Sequence, residues 1–223
     1  MLKEPALHKN VASALSAFLY RFRGYILGVL AIALVAAPPS LFPKQFCIND
    51  CLAGVLVAVP LFVASTLLRV RARQYIGEHT RGKIHDADEL VTVGVYSRVR
   101  HPLYISNTGF AVGFTYFHLG LSLWVIPFAF AVVLFEVALA RIEDRFLERK
   151  FGDLWRAWAK KTPAFFPRFK QTLGDGGCDS LVSASVAPQR TFWQAFFADS
   201  STWLWLMFCN LVLVLRKVVA FYV

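Results

Sequence analysis

The sequence predicts an all-α, polytopic membrane protein with about five transmembrane helices, two of them paired as a tight hairpin. Three observations predict it. Of the 223 residues, 57% are hydrophobic and 17% charged, against about 45–50% and about 25% in an ordinary soluble domain. Several apolar runs approach or reach the roughly 20 residues that a spanning helix needs. The formal net charge of +10 is carried largely by Lys and Arg flanking those runs, a pattern that fits membrane topology and anionic headgroups better than nucleic acid. The 21 Phe and 6 Trp suit lipid-facing packing and interfacial belts. No nucleic-acid motif is visible, and the length suits one domain.

The N-terminus, Met1 to Asn10, is polar, and residues 11–23 mix Ala, Leu and Phe with Arg21 and Arg23 as an amphipathic lead-in. Residues 24–42 form the first expected span, ended by Pro38, Pro39 and Pro43. It lies too far in for a signal peptide, and no small-residue cleavage site follows, so it is expected to be retained. After a polar turn, Lys44 to Asp50, residues 51–68 form the second span, with Pro60 inside it. Membrane helices tolerate such a proline when neighbours satisfy the freed carbonyl. Arg69, Arg71, Arg73, Arg81 and Lys83 then mark a cytoplasmic loop by the positive-inside rule.

Residues 74–101 form a long polar connection, and a connection of that length in a compact protein usually has a function. Pro102 opens a helix, since a proline at the first helical position loses no hydrogen bond. Residues 103–117 and 121–140 form the two arms of the hairpin around a turn at His118-Leu119-Gly120. Gly109 and Gly113, four apart, permit close helix contact. The second arm continues into a charged foot with Arg141, Glu143, Asp144, Arg145 and Glu148, followed by Phe151-Gly152 and a proline-bounded stretch, Pro163 to Pro167. Residues 170–190 are a Gly, Ser and Asp-rich linker, and a last helix is expected at about 202–221, spanning or interfacial. The expected organisation is 1–73 as N-terminal membrane helices, 74–168 as the functional core and 169–223 as linker and C-terminal helix.

Of the four cysteines, Cys47 and Cys51 are four apart and Cys178 and Cys209 are isolated. None has a zinc-spaced partner, and no metal site is expected. Glu136 lies inside an apolar run, where an ionisable group is costly and faces protein or a water cavity. By helical period it shares a face with Ala140, Glu143 and Leu147, with Asp144 beside them. Two readings stand: a carboxylate satisfied by a packing partner, or a carboxylate-lined cavity open to lipid and water. His101, before Pro102, stands like an N-cap beside backbone N–H groups whose partial charge favours anions. Arg98 and Arg100 fit either that site or headgroup contacts. No Gly-rich nucleotide loop follows a strand, and no Walker motif is present.

Together these pieces resemble a known family. Leu90-Val91-Thr92-x-Gly94-x-Tyr96-x-x-x-Arg100-His101-Pro102-x-Tyr104, followed by Glu143-Asp144, Phe151-Gly152-x-x-Trp155 and Pro163 to Pro167, resembles the integral membrane methyltransferases. That group includes the isoprenylcysteine carboxyl and phospholipid methyltransferases. The likeness covers roughly residues 85–168. Val95, Ser106, Asp144 and Trp155 depart from the family's usual Pro, Gly, Glu and Tyr.

The resemblance implies a methyltransferase core at 74–168 that binds S-adenosyl-L-methionine in a cytoplasm-facing pocket of a bacterial inner-membrane protein. Its cofactor contacts would be Glu89, Leu90, Val91, Tyr96, His101, Pro102, Leu103, Tyr104, Glu143 and Asp144. Carboxylates suit the amino or ribose groups, Tyr96 and Tyr104 offer aromatic faces, and the helix start at Pro102 suits a carboxylate. In-line methyl transfer depends mainly on positioning. An amine acceptor would also need a base, for which His101, Glu136 and Glu143 are candidates, and Glu136 or Arg141 is placed near the acceptor. The acceptor is a lipid or hydrophobic small molecule, with no nucleic-acid partner. Steroid-type membrane reductases using NADPH look similar around a His-Pro turn, but commonly carry Asn after the Pro and Glu soon after the Tyr. Here Leu103 and Ser106-Asn107 stand instead. A non-catalytic binding protein is the third reading.

Overall fold

The computed structural model describes residues 18–19, 22–34, 48–76, 89–166 and 188–222, with the backbone path alone at 48–51 and 216–222. Among them no strand occurs. The helices are α1 (Phe22–Leu34), α2 (Ile48–Tyr75), α3 (Pro102–Leu119), α4 (Val125–Phe151), α5 (Asp153–Lys161), α6 (Phe192–Phe197) and α7 (Ser200–Tyr222), with a 3-10 turn at Gly94–Ser97 before α3. Two of the described helices, α2 and α4, are long and apolar enough to cross a membrane, and α1 and α7 are shorter apolar helices. The proline-rich end of the first expected span, the loop 77–88, the linker to residue 187, Cys47 and Cys178 lie outside the described residues, as do the side chains of Cys51, Arg216 and Lys217.

The second expected span is longer than its apolar run. Helix α2 continues for 28 residues, to Tyr75, so Arg69, Arg71 and Arg73 are helical rather than on a loop. Arginine is a good helix former, and burial holds this last part in place. Arg69 and Arg73 are both 8% exposed, and their Nε atoms both donate to Asp199 Oδ2, at 2.8 and 2.9 Å.

The hairpin forms, with its turn later than expected: α3 includes His118 and Leu119, and the second arm starts at Val125 rather than at residue 121. Pro102 stands at the first position of α3. The helix closes at Gly120, whose φ of 64° is left-handed and favours a residue without Cβ. Helix α4 then runs unbroken through Glu136, Glu143 and Asp144 to Phe151. Helix α3 packs mainly on α2, and the small residues make that possible. A Cβ on Gly109 would collide with the Ser65 hydroxyl, one on Gly113 would lie 3.4 Å from the Ala58 carbonyl, and one on Gly54 would lie 2.7 Å from the Gly120 backbone. Ser106, where the family usually has Gly, is fully buried and donates to the Ser65 carbonyl at 2.9 Å. The Ser106 hydroxyl thus adds a hydrogen bond to the same close interface.

Beyond the hairpin, Gly152, with φ 54°, turns the chain from α4 into α5. Thr191 and Gln194 form a reciprocal capping box at the start of α6, and Asp199 stands between α6 and α7.

Candidate active site

The two charged clusters that are far apart in sequence meet at the foot of the hairpin. Arg100 donates from NH1 to Asp144 Oδ2 at 3.0 Å, and its guanidinium lies 5.5 Å from the centre of the Trp155 ring. His101 Nε2 lies 3.1 Å from Asp144 Oδ1. That contact is too poorly aligned for a hydrogen bond, so both atoms keep their capacity for another partner. The backbone that carries them is held from outside. The N–H groups of Arg100 and His101 donate to the carbonyls of Pro163 and Ala164 at 2.9 and 3.1 Å. The proline-bounded stretch therefore acts as a strap across the start of α3, and Phe165 on it packs 5.7 Å from the His101 ring.

Glycine geometry sets the approach to this turn. Gly94 has φ 63°, and a Cβ there would strike the Tyr75 ring. The 3-10 turn it opens buries Tyr96 against Ala72 and Ile76, with Val91, Leu103 and Trp158 packed around them. Trp158 donates from Nε1 to the Tyr96 carbonyl at 3.1 Å, tying α5 to the turn. Burial, with the Glu143 carboxylate nearby, pushes the Tyr96 hydroxyl well above the ordinary phenol range; Arg73 and Arg69 oppose the shift. Tyr96 is therefore a neutral phenol within electrostatic reach of Glu143.

Buried polar groups are normally hydrogen-bonded. Here Arg100 Nε, His101 Nε2, Asp144 Oδ1 and Trp155 Nε1, on side chains packed against one another, and the neighbouring Tyr96 hydroxyl lack hydrogen-bond partners. His101 is the N-cap of α3 but makes no side-chain capping bond, so no side chain of its own caps the first-turn N–H groups, which carry the partial positive charge that favours anions. A polar ligand carrying both donors and acceptors fits these groups.

The residues singled out from sequence divide accordingly. Tyr96, His101, Pro102, Leu103, Tyr104 and Asp144 gather around the turn, with Val91 beside Tyr96 and Glu143 close enough to act on the Tyr96 hydroxyl. Leu90 is half-buried, whereas Glu89 and Arg141 are exposed. Glu136 is 1% exposed, about two turns from Glu143 and Asp144 along α4. It accepts from Asn107 Nδ2 at 3.5 Å through Oε2, while Oε1 is buried without a partner.

Sequence reasoning missed a second polar network. Arg69 donates from NH1 to Asn107 Oδ1 at 2.7 Å, so a chain of polar contacts runs Arg73–Asp199–Arg69–Asn107–Glu136. Asp199 interrupting an apolar run was the available signal. This network borders an apolar cavity of about 820 Å³ between α1, α3, α4 and α7, with Arg69, Asn107 and Thr202 among its lining residues. Leu139 lines the cavity and also packs with Tyr104, placing the cavity next to the His101–Tyr104 turn.

With this geometry in place, residues 53–154 match the phospholipid methyltransferase family, a family of membrane methyltransferases, in agreement with the resemblance carried by the sequence motifs. The chain is similar to the nickel-cobalt-cadmium resistance protein NccN of Alcaligenes xylosoxydans xylosoxydans, with 44% identity over 80 residues, 36% of this chain and 37% of that protein. It is also similar to the cobalt-zinc-cadmium resistance protein CzcN of Cupriavidus metallidurans, with 40% identity over 95 residues, 43% of each chain. The chain thus spans less than half the length of the curated relatives it matches. No solved structure matches it. Among the described residues no group of His, Cys, Asp and Glu is placed to hold a metal ion.

Proposed function

We propose that the protein is an S-adenosyl-L-methionine-dependent methyltransferase that methylates a lipid or hydrophobic small-molecule acceptor. In this reading the chain crosses the bacterial inner membrane about five times, with 74–168 as the methyltransferase core and the site facing the cytoplasm. The observation that carries the reading is the meeting of Arg100-His101 with Asp144 around buried polar atoms that lack partners, inside the segment matched to a methyltransferase family.

The cofactor would supply an electrophilic methyl group on a sulfonium cation. The chain's residues would do the rest by placement. The start of α3 and the Arg100 guanidinium suit a carboxylate. Asp144 Oδ1 and Glu143 suit an ammonium or ribose hydroxyls. The rings of Tyr104 and Trp155 and the neutral Tyr96 phenol suit a cation or a flat base. Glu136, held by Asn107, stands on the acceptor side, where a carboxylate would orient the acceptor or take the proton of an ammonium acceptor. The exposure of Arg141 leaves it better suited to headgroups than to the acceptor's reacting atom.

The test is thermal stability of the purified protein with S-adenosylhomocysteine or with NADPH. A ligand at about 100 times its Kd stabilises by roughly 2.7 kcal/mol. Stabilisation by S-adenosylhomocysteine alone is expected, and it should shrink in His101→Ala and Glu143→Gln while both variants stay folded in detergent. Stabilisation by NADPH alone would replace methyl transfer with hydride transfer.

A further inference from the structure

We propose that α7, outside the 53–154 segment matched to the family, selects the acceptor, and that the cavity it closes takes one aliphatic chain of a lipid bearing a compact polar head. This inference rests on the methyl-transfer reading and assigns its acceptor site.

The cavity volume, about 820 Å³, lies within the roughly 300–1,000 Å³ of sites that enclose one small ligand. It suits a single chain and head; a two-chain lipid would leave its second chain in the bilayer. Its walls are mostly hydrocarbon from α1, α3 and α7, including Phe110, Phe114, Trp205 and Leu206. Among its polar lining residues, which also include Arg23, Thr115 and Ser201, Arg69, Asn107 and Thr202 form one joined group: Arg69 donates to the Asn107 side-chain carbonyl at 2.7 Å and to the Thr202 hydroxyl at 3.4 Å. Arg69, the member of this group that lines the cavity, shares the Asp199 carboxylate with Arg73 behind it; the surplus positive charge favours a head with an oxygen acceptor.

This group also stands toward the methyl donor's turn. Val132 and Leu139 line the cavity, and Glu136 lies on the same stripe of α4 between them. Its Oε2 is held by the cavity-lining Asn107, and its buried Oε1 lacks a partner. A head placed among Arg69, Asn107 and Glu136 would approach the Tyr104–Leu139 layer, with its chain running along Trp205.

Helix α7 is built into this wall. Asp199 fixes its start to Arg69 and Arg73 of α2. Gly28 lets α1 close over it, since a Cβ there would lie 3.1 Å from the Trp205 ring. Changes along Thr202, Trp205, Leu206 and Cys209 would alter the depth and shape of the cavity while leaving the His101–Asp144 turn untouched.

The experiment uses the full chain in detergent with two photoreactive probes, a diazirine-bearing palmitic acid and a diazirine-bearing phosphatidylethanolamine. Labelled peptides are mapped by mass spectrometry. The expected result is labelling of the stretch 201–209 that excess unlabelled lipid competes away, and that falls roughly tenfold or more in Leu206→Trp and in Ala111→Phe, which fill the cavity. Whichever probe is competed identifies a free single-chain lipid or one chain of a phospholipid as the source. Labelling that is not competed, that is confined to outward residues of α2 such as Leu56, Val59 and Val63, or that persists in both variants would overturn the proposal. Stabilisation by S-adenosylhomocysteine in the same preparations shows that the variants are folded and separates the two claims. Cofactor stabilisation without competed labelling removes the chain site alone. Competed labelling without cofactor stabilisation leaves the chain site standing and removes methyl transfer.

Discussion

Arg100 reaches across 44 residues of sequence to donate to Asp144 at 3.0 Å, and this ion pair joins the start of α3 to the foot of α4. The pair is largely buried, with side chains 16% and 19% exposed, so its members are shielded from the screening that weakens surface pairs. The neighbouring His101 imidazole lies against the same carboxylate. The site's geometry therefore depends on one carboxylate that holds Arg100 and lies against His101 of the Arg-His-Pro turn.

Asp144→Asn is expected to lose the charge-assisted bond, worth about 1.5–3 kcal/mol, lowering Tm and weakening S-adenosylhomocysteine binding together. Asp144→Glu, which restores the family's usual residue, should recover binding. Thermal unfolding with and without the ligand checks both, and equal behaviour of Asn and Glu would show that the negative charge is dispensable.

Glu136→Leu should abolish turnover while S-adenosylhomocysteine still binds. One of its oxygens is buried without a partner, so an apolar replacement of similar size removes an unsatisfied group and should leave Tm near or above the wild type. Methyl transfer from radiolabelled cofactor into a lipid extract, set beside the binding isotherm, measures the split. Unchanged turnover would make Glu136 a packing residue.

For Tyr96 the pH dependence has a definite sign. Its phenol is raised above the unfolded value, about 10, so the fold favours the neutral form. The associated stability is fully present below about pH 10 and is lost as pH rises above it. Tyr96→Phe should flatten that alkaline loss. Because the hydroxyl has no hydrogen-bond partner in the fold, the same variant should cost little stability at neutral pH, yet bind cofactor more weakly if the hydroxyl contacts it. Urea unfolding from pH 8 to 11 in detergent tests the first part, and a thermal shift with S-adenosylhomocysteine tests the second.

Asp199→Ala should be among the most destabilising single changes to the described residues. It leaves Arg69 and Arg73, each 8% exposed, without their shared carboxylate, and breaking a buried pair of this kind costs about 3–5 kcal/mol. The predicted readout is a large fall in Tm with early proteolytic release of the segment after residue 190. A fall no larger than that of an exposed control such as Asp153→Ala would show that α6–α7 is held by apolar packing alone.

The helical class, the hairpin and the Arg-His-Pro turn at the start of α3 were legible in the sequence because each depends on neighbouring residues. Pro102 opens α3, Gly120 and Gly152 end helices through left-handed φ, and Gly109 and Gly113 permit close packing whichever helix lies opposite. The end of α2 was not legible. Arg69 and Arg73 carry the same local signal whether they face headgroups or a buried carboxylate, and their partner is 130 and 126 residues away. Glu89, chosen by the resemblance, and Arg141, placed near the acceptor for its position on the second arm, are exposed, since the order of residues does not fix the direction of a side chain.

The sequence by itself therefore determined the membrane character, the paired arms and the resemblance to membrane methyltransferases, because composition, helix-end residues and motif spacing act over a few turns. Only the tertiary structure decided that Asp144 closes on Arg100 and His101, that Asp199 draws two arginines inward, and that α7 walls a cavity beside the turn. Those arrangements arise when helices distant in sequence bury charge against charge and leave space between apolar faces, and nothing in a single segment specifies which faces will meet.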